Sequence, residues 1–95
     1  MSVASGIEFD WVDENRKHLA AHKVLPAEFE QLLHNDPLEL GYELSDGEER
    51  YRTVGLTNGG RLLSVAWTIR DGKVRAVTAF AAGVADRKAF LERPR

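Results

Sequence analysis

The chain has no cysteine, which excludes disulfides, thiolate nucleophiles and cysteine-ligated zinc. No apolar run approaches the roughly 20 residues of a membrane span. Met1 to Gly6 lacks the basic-then-apolar order of a secretion leader. Aromatic residues are scarce, at 8%, which disfavours a small RNA-binding protein that works by base stacking alone. Gly55, Gly59 and Gly60 fall on a strand and a turn with no following helix to receive a phosphate, so no nucleotide or flavin fingerprint is present and no cofactor is implied. There is no Ser/His/Asp pattern, low-complexity stretch, repeat or linker. What remains is a soluble, cytoplasmic domain: 95 residues allow one core, expected over about residues 7–90. With 43% hydrophobic and 29% charged residues, the composition is that of a folded chain.

The net charge of −2 hides an asymmetry. Residues 1–49 hold twelve acids and three bases, whereas residues 50–95 hold ten bases and three acids. Such polarity fits a polyanion-binding face beside a protein-binding face, or two sequence halves that neutralise each other across the fold.

Ile7-Glu8-Phe9-Asp10-Trp11 alternates apolar and acidic residues, the pattern of a short half-buried strand. Asp13 is placed to cap a helix running to about His22, on which Asn15, His18, Leu19 and His22 share one face. Pro26 opens a second helix to about Leu33, with Phe29, Leu32 and Leu33 turned inward, and Asn35-Asp36-Pro37 ends it. Strands follow over Leu38 to Leu44, Tyr51 to Leu56, Arg61 to Ile69 and Lys73 to Phe80. They are separated by turns at Ser45-Asp46-Gly47, Asn58-Gly59 and Asp71-Gly72. Val84 to Glu92 reads as a short helix. The expected fold is α+β in two layers, a four-stranded antiparallel meander with the helices on one side.

His18 and His22 have the i, i+4 spacing of metal ligands, but neither a third ligand nor an intervening glutamate accompanies them. A structural imidazole, packed beneath the sheet and bonded to a backbone carbonyl, is the plainer expectation, so no metal site is assigned. His22 also suits general acid/base work near neutral pH. Arg50, Arg52, Arg61, Arg75, Arg87 and Lys88 lie on strands and the last helix. They can hold phosphates through an in-line phosphoryl transfer in which RNA supplies its own 2′-hydroxyl, or they can be solvated charges that guard strand edges.

Phe9-x-Trp11-x-x-x-Asn15-x-x-His18-Leu19-x-x-His22-x-Val24-x-Pro26-x-Glu28 resembles the opening of the BrnT toxin family. Asp36-Pro37, Arg50-Tyr51, Gly55-x-Thr57, Gly60-Arg61-x-Leu63-x-Val65 and Val74-Arg75-x-Val77-Thr78-Ala79 continue the likeness in order, to about Phe90. The resemblance implies a RelE-like fold and a bacterial type II toxin–antitoxin system, with an RNA-cleaving toxin and a ribbon-helix-helix antitoxin. Joined to the arginine reading, the leading expectation is metal-independent RNA cleavage in which His22, Asp86 and Arg87 are the catalytic residues and Arg50, Arg61, Arg75 and Lys88 bind RNA. Val12 and Lys23 stand where the family has aspartate and glycine. Phe80, Asp86 and Phe90 replace its arginine, glutamate and tyrosine, which predicts reduced activity. The alternative is a catalytically silent module that only pairs with the antitoxin.

Overall fold

The computed structural model describes residues 6–94. Residues 1–5, most of the stretch that lacks a leader's pattern, lie outside them. The elements are α1 (Asp13–Ala21), α2 (Pro26–His34), β1 (Leu38–Ser45), β2 (Glu48–Leu56), β3 (Leu62–Arg70), β4 (Lys73–Ala81) and α3 (Val84–Leu91). The strands form one antiparallel meander in the order β1-β2-β3-β4. This is the expected α+β fold.

The hairpin tips follow turn chemistry. Asp46-Gly47 and Asp71-Gly72 adopt positive φ at both positions, 52° and 78°, then 53° and 77°. That pair of angles matches the strand twist in a two-residue turn. The β2–β3 connection differs from the expected Asn58-Gly59 turn, because the positive φ belongs to Gly60 (86°). Gly60 N–H bonds Thr57 O at 3.0 Å, and Thr57 N–H bonds Arg61 O at 2.9 Å, which closes a three-residue loop.

The ends of α1 also differ from expectation. Asp13 is the first helical residue, and the cap is Val12, whose side chain bonds nothing. Asn15, buried one turn in, accepts from Val12 N–H and donates to Asp10 O, both at 2.9 Å. At the other end Lys23 takes φ 59°. Its N–H bonds Ala20 O, and Val24 N–H bonds Leu19 O. These paired bonds form the left-handed helix stop that favours glycine.

Two clusters hold the sheet. On its inner face Leu19 and Val24 join Phe29, Leu32 and Leu33 of α2 and Leu63, Val65, Val74, Ala76 and Ala79 of the strands. α2 sits so close to β2 that a Cβ on Gly55 would stand 3.2 Å from Leu32 O. On the outer face Phe90 and Ala82 cover Val54 and Leu62. The last helix therefore packs opposite α1 and α2 rather than beside them, because Leu62 and Leu63 alternate to opposite faces.

The segment expected as an amino-terminal strand makes a single parallel bridge, Phe9 to Val74. Side chains hold it more than a ladder does. Phe9 and Trp11 both meet the Phe29 ring edge-on, and Trp11 Nε1 donates to Glu30 at 2.6 Å. Of seven ion pairs among the described residues, six join a base of the second half to an acid of the first. Much of the charge asymmetry is thus internal pairing.

Candidate active site on the outer sheet face

Side chains directly opposite on paired strands share a face, so the register determines what stands together. Arg52 pairs with Ala66, and Ala66 with Thr78. Val54, Ser64 and Phe80 form the next row toward α3. Thr68 and Arg75 pair in the row on the other side, with Arg50 two residues along β2 from Arg52. All lie on the outer face. A bulge makes this arrangement: Ala66 pairs with Thr78 but Trp67 with Ala76, leaving Val77 extra. That extra residue brings Arg75 to the same side as Thr78.

Three groups occupy the middle of this surface. Ser64 Oγ donates to Asp86 Oδ2 at 2.7 Å, and Arg52 Nη2 stands 3.7 Å from the same oxygen. Asp86 comes from the first turn of α3, which lies over this end of the sheet. Across the row, about two strand spacings or 10 Å from Arg52, His18 Nε2 lies 3.2 Å from Thr78 Oγ1. Ala66 between them is small and leaves an open floor. Alongside is a cleft of about 180 Å³ bordered by Val12, Glu14, His18, Arg50, Thr68 and Arg75. Within it Arg50 Nε is buried with no hydrogen-bond partner, and Glu48 is 3.6 Å away.

The expected site residues divide. Asp86 and Arg50 lie on this surface. His22, exposed at the carboxy-terminal cap of α1, sits at its rim with its ring 6.1 Å from Phe80 and 5.9 Å from His18. Arg75 is on the surface, but Asp10 Oδ2 takes both its Nε and Nη2 at 3.0 and 2.8 Å, so its charge is already matched. Arg87 and Lys88 are exposed on α3, with no ion pair among the described residues. Arg61 does not join the group. Its Nη1 binds Glu28 at 2.8 and 3.0 Å and Lys23 O at 2.9 Å, clamping the β2–β3 loop to α1 and α2. Glu28 also accepts from Leu25 N–H at 3.0 Å. That bond, followed by Arg61, holds the carboxyl below its ordinary range against the opposing effect of burial.

Neither His18 nor His22 packs beneath the sheet. Both are exposed, and the partner of His18 is a hydroxyl rather than a carbonyl. Among the described residues no group of three potential ligands is placed to hold a metal, and no helix is long and apolar enough to cross a membrane. Phe90 of α3 is buried against Val54 and Leu62 with the Arg93 guanidinium 3.8 Å over its ring, so it does not line the surface. The sequence singled out neither Ser64 nor Thr78. The regular β3–β4 register places them, Ser64 opposite Phe80 and Thr78 opposite Ala66.

Residues 11–84 match the family model described as the ribonuclease toxin, BrnT, of type II toxin–antitoxin systems. The chain belongs to the BrnT family. No curated protein sequence matches it significantly. The matched span carries the arginine, serine and threonine rows and ends at Val84, so Asp86 and Phe90 lie beyond it. Both departures in α1 fall on helix ends: Val12 at the cap and Lys23 at the left-handed stop. As a member of a type II toxin family, this BrnT chain has an antitoxin protein as its implied partner.

Proposed function

We propose that the chain is a ribonuclease toxin that cleaves RNA on the outer sheet face without a metal, and that a ribbon-helix-helix antitoxin neutralises it. The observation that carries this reading is the row Arg52–Ala66–Thr78, with the Asp86–Ser64 pair at one end and His18 at the other. In-line cleavage needs a base for the 2′-hydroxyl, an acid for the departing 5′-oxygen and cations for charge that builds on the phosphate. Asp86, bonded by Ser64 and near Arg52, suits the base. His18 suits the acid, its imidazole steadied by the Thr78 hydroxyl. Arg52 and Arg50, neither bound bidentately, suit the phosphate oxygens. The 2′-oxygen bonds phosphorus as the 5′-oxygen leaves, giving a 2′,3′-cyclic phosphate and a free 5′-hydroxyl. His22 and Phe80 flank the path of the strand.

The silent-module reading has one observation in its favour: Phe80, an apolar ring, occupies the row next to Arg52. Expression separates the two. Growth arrest with RNA fragmentation, relieved by co-expressing the adjacent reading frame, supports the toxin. An inert protein that still binds the adjacent product supports the module.

A further inference from the structure

The inner sheet face is covered unevenly. α2 packs over its Gly55–Leu63 end, while near the hairpin tips an apolar surface stays open. Tyr42 pairs with Tyr51 and Tyr51 with Trp67, and the neighbouring rings lie 5.4 and 4.6 Å apart. Leu44 and Ile69 stand two residues farther along β1 and β3 on the same face. Tyr42, Leu44 and Ile69 are 57%, 66% and 54% exposed. Apolar side chains this exposed and this contiguous mark an interaction surface. They adjoin β1, an edge strand whose outer backbone groups are unpaired within the sheet.

The charge around this surface selects its occupant. Arg50, Arg52 and Arg70 all alternate onto the outer face, so the inner face of β1 to β3 carries no cation. It carries Glu39 and Glu49, whereas Glu43 pairs with Arg50 and stands on the outer face. Among the described residues Glu39 and Glu43 have no ion pair. A second copy pairing antiparallel through β1 would bring these glutamates near their own equivalents, a repulsive arrangement. A segment that alternates apolar side chains with lysine or arginine meets no such obstacle.

We propose that this face is the docking site of the antitoxin. A cationic, apolar segment would cover Tyr42, Leu44 and Ile69 and set its positive charges against Glu39 and Glu49. The inference rests on the toxin–antitoxin reading above. From this anchor the rest of the partner has only to pass around the β1 edge to reach Arg50 and Arg52 on the other side of the same sheet.

The test uses the whole protein and the product of the adjacent reading frame, with binding followed by titration calorimetry. Leu44→Thr with Ile69→Thr removes the apolar contact while keeping strand-forming residues. Glu39→Lys with Glu49→Lys reverses the charge of that face. Each pair should weaken the complex roughly 30-fold or more, the charge pair most at low salt. The melting temperature and RNA cleavage of the free variants should stay those of the wild type. Affinity within about threefold of wild type for both pairs would place the antitoxin elsewhere and overturn the proposal. So would a wild-type homodimer that Leu44→Thr with Ile69→Thr abolishes, which would make this face a self-interface. If the wild type forms no complex with the adjacent product, the toxin–antitoxin reading itself fails and this proposal with it.

Discussion

Helix α1 carries His18 and His22 to the rim of the outer face, and both of its ends are poorly made. Replacing Val12 by aspartate and Lys23 by glycine should therefore stabilise the fold by a calculable amount. Val12 has the extended backbone of a cap (φ −128°, ψ 169°) but no side-chain acceptor. An aspartate there contributes about 1 kcal/mol through the orphan amides of the first turn. Lys23 holds φ 59°, a conformation that costs a residue with a Cβ about 1–2 kcal/mol. Glycine relieves this but gives back about 0.5–1 kcal/mol in chain entropy, leaving a net gain of roughly 0.5–1. The Arg61 bond to Lys23 O is to the backbone and survives. Nine helical residues separate the two ends by about 14 Å, so the gains should add to about 1.5–2 kcal/mol. In a domain of this size that is roughly 6–15 °C in melting temperature. Urea titration and calorimetry of the single and double variants measure it, with Lys23→Ala as the control that keeps the strained backbone. If Lys23→Ala matches Lys23→Gly, or if neither end yields a gain, the strain argument is wrong.

Glu28 is held below its ordinary value of 4.5 chiefly by Leu25 N–H and then by Arg61. Its contribution to stability is present above that value and lost as pH falls through the lowered one, so urea midpoints of Glu28→Gln should fall off less steeply on the acid side. His18→Ala and His22→Ala, both exposed, should each change stability by less than about 0.5 kcal/mol in thermal melts, and zinc should shift the wild-type melt little. Phe80→Arg should fold normally, since Phe80 is 38% exposed, and should raise RNA cleavage in a gel assay. Phe90→Tyr should instead cost about 1–2 kcal/mol by calorimetry, because it buries a hydroxyl between α3 and the sheet.

Local chemistry made much of the fold legible. Asp46-Gly47 and Asp71-Gly72 marked two hairpins because only small or Asx residues tolerate their backbone angles. Phe29, Leu32 and Leu33 revealed the buried face of α2 through their spacing. The misreadings lie where one residue changes the geometry. A third loop residue moved the positive φ from Asn58-Gly59 to Gly60, and the extra Val77 turned Arg75 onto the outer face. Alternation alone would place Arg75 with Ala79, on the core side. Ile69 alternates onto the face of Leu63, yet it is exposed because no helix reaches it, and strand periodicity is blind to such coverage. The site was harder to read for the same reason. Arg61 looks like any other strand arginine until Glu28 is seen beneath it, and Ser64 and Thr78 acquire meaning only beside Asp86 and His18.

The measurement that bears most directly on the outer-face site is end-group analysis of RNA incubated with purified protein and excess chelator, run in parallel on wild type, Arg52→Ala, Asp86→Asn and His18→Ala. The account predicts 2′,3′-cyclic phosphate and 5′-hydroxyl ends from the wild type. It also predicts a loss of about 10²–10³ in rate for Arg52→Ala, and large losses for Asp86→Asn and His18→Ala with unchanged melting temperatures. Cleavage that leaves 5′-phosphate ends, or that persists at the wild-type rate in all three variants, would contradict it.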